Sequence, residues 1–252
     1  LSIARPCAEK AAAKFVARHF PLCQCAVLAG STVRGEATSR SDLDIVVFDE
    51  HVPAAYRESF VEEGWPIEAF IHNFTSYQAF FESDCRRGRP SLPKMVAEGV
   101  AIIEDARLKG MKAEAKRLLE KGPEPWPAET IRSKRYFLTD LLDDFIGSSD
   151  RMEDLFIAGA LAEAASEFVL RTNRQWIGQS KWIMRALRNF NPDFAKQFSE
   201  GFDDFYLTGN KEKIIALADL VLRPYGGRLF SGFSLGKPEN SALNKDGRQE
   251  MI

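Results

Sequence analysis

Two carboxylates one residue apart, Asp42 and Asp44, open an apolar run that continues Ile45-Val46-Val47-Phe48. In a strand, residues i and i+2 point to the same face, about 6.6 Å apart along the chain. Such a pair at a strand's start suits hard divalent cations. Magnesium takes one or two carboxylates and completes its shell with phosphate oxygens and water. Upstream, Gly30-Ser31 follows another short apolar run, residues 25–29. Its turn offers backbone N–H groups, and Ser31 a hydroxyl, to a phosphate. Arg34 adds a fixed positive charge close by. Alone, an Asp-x-Asp is a common solvated strand edge and Gly-Ser a generic turn. The order is more specific: strand, Gly-Ser, loop, Asp-x-Asp, apolar strand.

Other residues carry weaker signals. Lys181 opens a helical window with Arg185 and Arg188 behind it, and its flexible stem could bring a point charge to a β- or γ-phosphate. A solvated lysine is about as good a reading. Asp143 and Asp144 could contact a cationic acceptor, although a solvated helix face explains them too. Trp126, Tyr136 and Trp176 could stack on a base, but core packing is the commoner use. His72 follows Glu68 by four and shares its strand face. A lone histidine is more often structural. Arg86, Arg87 and Arg89 form a small basic loop for which solvation is the default.

The elements that must position these residues fall into two halves. Residues 5–20 show helical spacing of Ala8, Ala11, Ala12, Phe15 and Val16 behind Pro6. Residues 25–29 and 43–48 are strands. Residues 53–64, opened by Pro53, are expected to be a helix, and 67–73 a third strand with Glu68 and Phe70 opposite Ile67, Ala69 and Ile71. A helix near 75–85, a short helix from Ser91, a strand near 99–104 and a charged helix over 106–121 complete the first half. Three prolines in KGPEPWP (121–127) read as a linker. Beyond it, apolar spacing predicts helices across 131–145 and 155–169, then in windows 180–190, 192–206 and 211–223. The expected fold class is α+β: a small mixed sheet flanked by helices over 1–122, a helical bundle over 128–235, and a polar tail over 236–252.

Composition narrows the function classes. The chain has 252 residues with 34 Lys and Arg against 36 Asp and Glu, a formal charge of −2. That balance disfavours a protein that coats a nucleic acid backbone, while a nucleotide needs only a few local cations. No apolar run approaches the 18 or so residues that span a bilayer, and no secretory signal is visible. Four cysteines without metal-like spacing and three histidines argue against zinc. A cytoplasmic protein with reduced thiols is expected.

The stretch AGSTVRGEATSRSDLDIVVF resembles the signature of the polymerase-β-like nucleotidyltransferase superfamily: Gly-Ser, about ten residues, then Asp-x-Asp on a strand. The resemblance implies a third carboxylate from a later strand, and Glu68 in PIEAFIHN stands in that place. The core followed by helices is similar to bacterial antibiotic nucleotidyltransferases, aminoglycoside enzymes included. The implied chemistry is Mg²⁺-dependent transfer of a nucleoside monophosphate from an NTP to a hydroxyl of a small-molecule acceptor. Two Mg²⁺ ions about 3.5–4 Å apart would sit across Asp42, Asp44 and Glu68, and pyrophosphate would leave in line. Glu68 would be a metal ligand or the base for the acceptor proton. Gly30, Ser31, Arg34 and Lys181 would bind the nucleotide, with the helical half packed over the triphosphate. Acidic residues of that half (Asp140, Asp143, Asp144, Asp150, Glu153, Asp154) would suit a cationic acceptor. Two alternatives remain open: a protein-AMPylating enzyme, and an inactive nucleotide-sensing or interaction module, which the retained carboxylates disfavour. A nucleic-acid polymerase is disfavoured by the charge, and no membrane partner is expected.

Overall fold

The structure, a computed structural model, describes residues 5–236. The chain forms two compact units. Among the described residues, the first takes those up to Pro125 with Leu170–Phe190, and the second takes Trp126–Val169 with those from Asn191 on. The proline cluster at 121–127 lies in an irregular stretch between helices, where three rings forbid a continuing helix. Residues 170–190, read from sequence with the helical half, cluster with the sheet unit. The expected tail lies outside the described residues from 237 onward.

The first unit begins with α1 (Ala8–His19), β1 (Cys25–Ala29) and β2 (Leu43–Phe48). It continues through β3 (Tyr56–Glu62), β4 (Trp65–His72), α2 (Ser76–Arg86), α3 (Ser91–Glu98), β5 (Val100–Ile103) and α4 (Ala106–Lys121). The sheet order is β3-β4-β2-β1-β5, with β2 and β4 parallel and the other pairs antiparallel. All five residues of β1 are buried, as are all of β2 except Asp44, because both faces of these strands are covered. On one face Phe15 and Val16 of α1 pack against Leu28, Ile45, Val47, Ile67, Ala69 and Ile71. On the other, Val27, Val46 and Phe48 meet Tyr77, Phe81, Leu92, Val96 and Met111.

The expected helix over 53–64 is a correction: this segment is the edge strand β3. Glu63 (φ 49°) and Gly64 (φ 78°) form a two-residue hairpin loop with both positions left-handed, and Glu62 pairs with Trp65 across it. That geometry matches the twist of paired strands, and glycine adopts it without strain. As an edge strand, β3 leaves Tyr56, Arg57, Glu58, Ser59 and Val61 exposed, so no apolar alternation marks it. Its anchor is Phe60, whose ring lies 4.9 Å from those of both Phe15 and His19. Glu62 reinforces this by accepting from Arg18 and His19.

The second unit holds α5 (Ala128–Gly147), most of α6 (Arg151–Thr172), α8 (Pro192–Thr208) and α9 (Glu212–Leu222). Its buried side chains include Leu138, Leu142, Phe145, Phe168, Phe202 and Phe205. Lys211 donates to the carbonyls of Phe145 and Ser148 and to Asp154, each at 2.7 Å, and so satisfies open carbonyls at the end of α5. Among the described residues no helix is long and apolar enough to cross a membrane.

Candidate active site

Strand register brings the three carboxylates together. Ala29 of β1 lies opposite Asp44 of β2, and Asp44 opposite Glu68 of β4. Asp42 precedes β2 by one residue and shares Asp44's side. One oxygen from each of Asp42, Asp44 and Glu68 lies within 4.8 Å of the others. Burial, then the charges of Asp42 and Glu68, pushes the Asp44 carboxyl up to about 6, while Arg34 and Arg57 oppose the shift. A crowded, oxygen-only, anionic set of this kind fits a hard divalent cation, which would supply the missing positive charge.

Gly30 makes the crowding possible. It has φ +81°, and a Cβ built on it would fall on Asp44 Oδ2. A side chain there would meet both a left-handed backbone and the carboxylate. Gly30→Ala is therefore expected to cost about 1–2 kcal/mol of stability from the backbone alone. It should also displace Asp44 enough to remove Mg²⁺-dependent thermal stabilisation. Urea unfolding with and without Mg²⁺ checks both, and an alanine variant with wild-type Mg²⁺ response would refute the contact's importance.

The loop after Gly30 is held by its own hydrogen bonds. The Ser31 hydroxyl donates to that of Ser41 at 3.0 Å, Ser41 Oγ accepts from the Thr38 N–H at 2.9 Å, and the Glu36 N–H reaches the Ser31 carbonyl at 2.9 Å. Arg34 reaches Glu36 at 3.2 Å and Glu98 at 3.5 Å. Its guanidinium also lies 5.0 Å over the ring of Trp182. Trp182 belongs to α7 (Lys181–Phe190), in the returning segment of the first unit. Lys94 and Arg185 also sit over its ring, at 5.0 and 4.5 Å, and Arg185 reaches Glu36 at 2.8 Å. Upstream, the Ile177 N–H donates to the Gly88 carbonyl, Arg89 to Gln179, and the Trp176 indole to the Leu119 carbonyl. The helix that carries Lys181 is thus fastened to the glycine loop through Trp182 and Arg185. Lys181, its first residue, is exposed.

The weaker candidates take other places. Trp176 is spent on Leu119, Trp126 packs edge-on against Phe168 at 6.3 Å, and Tyr136 stacks on Phe233 at 3.9 Å. Arg87 pairs with buried Asp84, which accepts the Leu92 N–H at the start of α3. Asp143 lies 3.5 Å from Arg228, and Asp154 is taken by Lys211. His72 is 4% exposed, its ring near those of Phe48 and Phe80, and burial pushes its pKa down to about 4. Sequence reasoning missed Arg57, whose Nη2 pairs with Glu68 Oε1, and the Trp182 platform. The glycine at the second loop position of Glu62-Glu63-Gly64-Trp65 was the available signal for the first. Nothing local signals the second.

Residues 10–80, from α1 into α2, match the family model described as a nucleotidyltransferase domain. The match spans β1, β2, β3 and β4 and contains Gly30, Asp42, Asp44 and Glu68. No curated protein matches the chain. Among solved structures, a nucleotidyltransferase-like protein from Exiguobacterium sibiricum 255-15 is similar at 13% identity, with a TM-score of 0.43. That likeness covers 86% of this chain and 73% of the other. The chain carries a nucleotidyltransferase domain, and with it the transferase class. Such domains generally use divalent metal and act on a nucleoside triphosphate.

Proposed function

We propose that the chain transfers a nucleoside monophosphate from an NTP to a hydroxyl of a small-molecule acceptor, releasing pyrophosphate. One observation carries this reading: the convergence of Asp42, Asp44 and Glu68 against Gly30, inside the matched domain. Asp42, Asp44 and Glu68 would hold two Mg²⁺ ions during turnover. Bound there, the metal would neutralise the triphosphate and polarise the acceptor oxygen. The Gly30–Ser31 backbone and the Ser31 hydroxyl orient the phosphates. Arg34 supplies charge to them by exchanging its contacts with Glu36 and Glu98. The acceptor oxygen attacks the α-phosphorus, the bond to the bridging oxygen of the β-phosphate breaks, and pyrophosphate leaves. Glu68 either takes the acceptor proton on a carboxylate oxygen or holds metal, the proton then passing to solvent water. The four free cysteines and the NTP substrate suit a cytoplasmic setting. Of the acidic residues that the resemblance would offer a cationic acceptor, Asp143 and Asp154 already have cationic partners.

Thermal-shift screening of ATP, GTP, CTP and UTP, with and without Mg²⁺, tests the reading. A nucleotide at about 100 times its Kd stabilises by about 2.7 kcal/mol. At least one NTP should raise Tm only with Mg²⁺ present, and pyrophosphate should then be released over an acceptor panel. No response to any NTP would overturn the proposal.

Lys181 is proposed as a ligand of the β- or γ-phosphate, delivered by the helix that Trp182 and Arg185 fasten to the glycine loop. Lys181→Ala should weaken triphosphate binding about tenfold, in line with the loss of one charge-assisted hydrogen bond of about 1.5–3 kcal/mol. Monophosphate binding should stay nearly unchanged. Equal loss of both, or of neither, by calorimetry would remove Lys181 from the site.

A further inference from the structure

The flank of the acid cluster away from the glycine loop is formed by β3. In the order β3-β4-β2-β1-β5, the Gly30 loop leaves β1 on one side of Asp44, and β3 borders Glu68 on the other. One row of paired residues crosses the site: Ala29, Asp44, Glu68, Ser59. In-line displacement puts attacking and leaving oxygens on opposite sides of the α-phosphorus. With the triphosphate on the Gly30 loop, an in-line acceptor would enter from the β3–β4 flank.

Directly opposed residues of antiparallel strands share a face. Ser59 opposes Glu68, Arg57 opposes Phe70 and Val61 opposes Pro66, so Arg57, Ser59 and Val61 face the acceptor flank. Glu58 and Glu62 oppose Ala69 and Trp65 on the other face, where Glu62 pairs with Arg18 and His19. The strand therefore sends one charged side chain to this flank. Arg57 pairs with Glu68 Oε1, and its guanidinium lies 5.0 Å over the ring of Phe70. Its side chain stays 55% exposed and so is open to solutes.

We infer that Arg57 binds an anionic group, a carboxylate or a phosphate, on the acceptor. This rests on the nucleotidyl-transfer reading and adds the acceptor's charge class to it. The guanidinium is a permanent charge. In the metal-free chain it neutralises Glu68. A divalent cation on the same carboxylate would meet that guanidinium as a like charge, which would weaken the hold of Arg57 on Glu68. With metal bound, Glu68 would serve as a ligand, and Arg57, beside Phe70, would be free to turn its planar donor fork to the incoming acceptor. That fork matches carboxylate and phosphate oxygens two at a time. A polycationic amino sugar would meet a like charge at the same place. The expected acceptor is a small hydroxy acid or a sugar or polyol phosphate.

Two measurements on the full chain test this. The first is calorimetric titration of Mn²⁺ alone into wild type, Arg57→Ala and Arg57→Gln. Removing the competing cation should tighten Mn²⁺ binding about three- to tenfold. The second is thermal shift of the chain loaded with Mn²⁺ and a non-hydrolysable analogue of the selected NTP. Glycerate and glycerol 3-phosphate, tested separately, tell carboxylate from phosphate. Glycerol and the amino sugar kanamycin serve as neutral and cationic arms. At least one anion should raise Tm in wild type and in neither variant, and the neutral and cationic arms should not. Unchanged Mn²⁺ affinity in both variants, a response to kanamycin alone, or an anion response that survives loss of Arg57 would overturn the proposal. Failure of every NTP to bind would instead overturn the transfer reading beneath it. The metal-free Tm of each variant reports whether it folds.

Discussion

Asp44→Asn is expected to lower kcat/KM by about 10³-fold or more, above the 10²–10³ that one oxyanion-hole donor contributes. It should also abolish Mg²⁺-dependent nucleotide binding. Asp42→Asn should do the same, since both belong to the set whose oxygens lie within 4.8 Å. The metal-free chain should respond in the opposite direction. Asp44 is pushed up to about 6 from 3.8, so between these values the folded state holds the proton more tightly than the unfolded chain. Stability contributed by this group is therefore present at low pH and falls as pH rises through the window. Above about pH 6 the half-buried charge is a full liability. Asp44→Asn, metal-free, should then be more stable than wild type by on the order of 1–2 kcal/mol, allowing for solvent at the open site. Below about pH 4 the difference should vanish.

His72 works against this trend and must be separated from it. Its pKa falls to about 4 from 6.5, so its contribution is lost as pH drops through that window. Because His72 is present in both proteins, the difference between wild type and Asp44→Asn cancels it. Urea unfolding at pH 7.5 and pH 4, with chelator present, gives that difference directly. A variant less stable than wild type at pH 7.5, or one that keeps Mg²⁺-dependent NTP binding, would overturn the assignment of Asp44.

The site's acids were legible because strand periodicity acts within a few residues. Asp42 and Asp44 share a side wherever Leu43–Phe48 is extended, and that run, buried on both faces, reads as a strand from its own composition. The same logic failed at β3. An edge strand buries little, so Tyr56–Glu62 carries no alternation, and Pro53 suggested a helix start instead. The turn held the missing information. Once Glu63-Gly64 is a two-residue loop, Glu62 must face Trp65, Ser59 must face Glu68, and Arg57 lands beside Phe70. Register thus follows from a single glycine if the hairpin is recognised. The Trp182 platform is different in kind. Arg185 and Glu36 are 149 residues apart, and an amphipathic helix looks the same whichever surface it covers. The prolines of 121–127 mark where the chain leaves the first unit, but no local pattern marks its return at 170–190.

Glu68→Gln separates two ways of using one carboxylate. Its register opposite Asp44, and its oxygen in the shared set, put it where it could hold metal. The expected result is a fall in turnover of about 10²–10⁴-fold, together with a Mg²⁺ requirement raised about tenfold or more. The amide keeps the shape and one acceptor oxygen but loses the charge that pairs with Arg57 and that would bind metal. Loss of the ion pair complicates a simple reading, because a freed Arg57 adds positive charge where metal should bind. The double variant Glu68→Gln with Arg57→Ala resolves this. If the guanidinium is what raises the Mg²⁺ requirement, the double variant should recover part of its metal affinity and none of its turnover. A single variant with normal Mg²⁺ dependence and collapsed turnover would reassign Glu68 as the acceptor base. Its pH–rate profile should then lose the limb that reports deprotonation of that base. Full activity at ordinary Mg²⁺ would place Glu68 outside the chemistry and leave the Asp42–Asp44 pair to hold the metal without it.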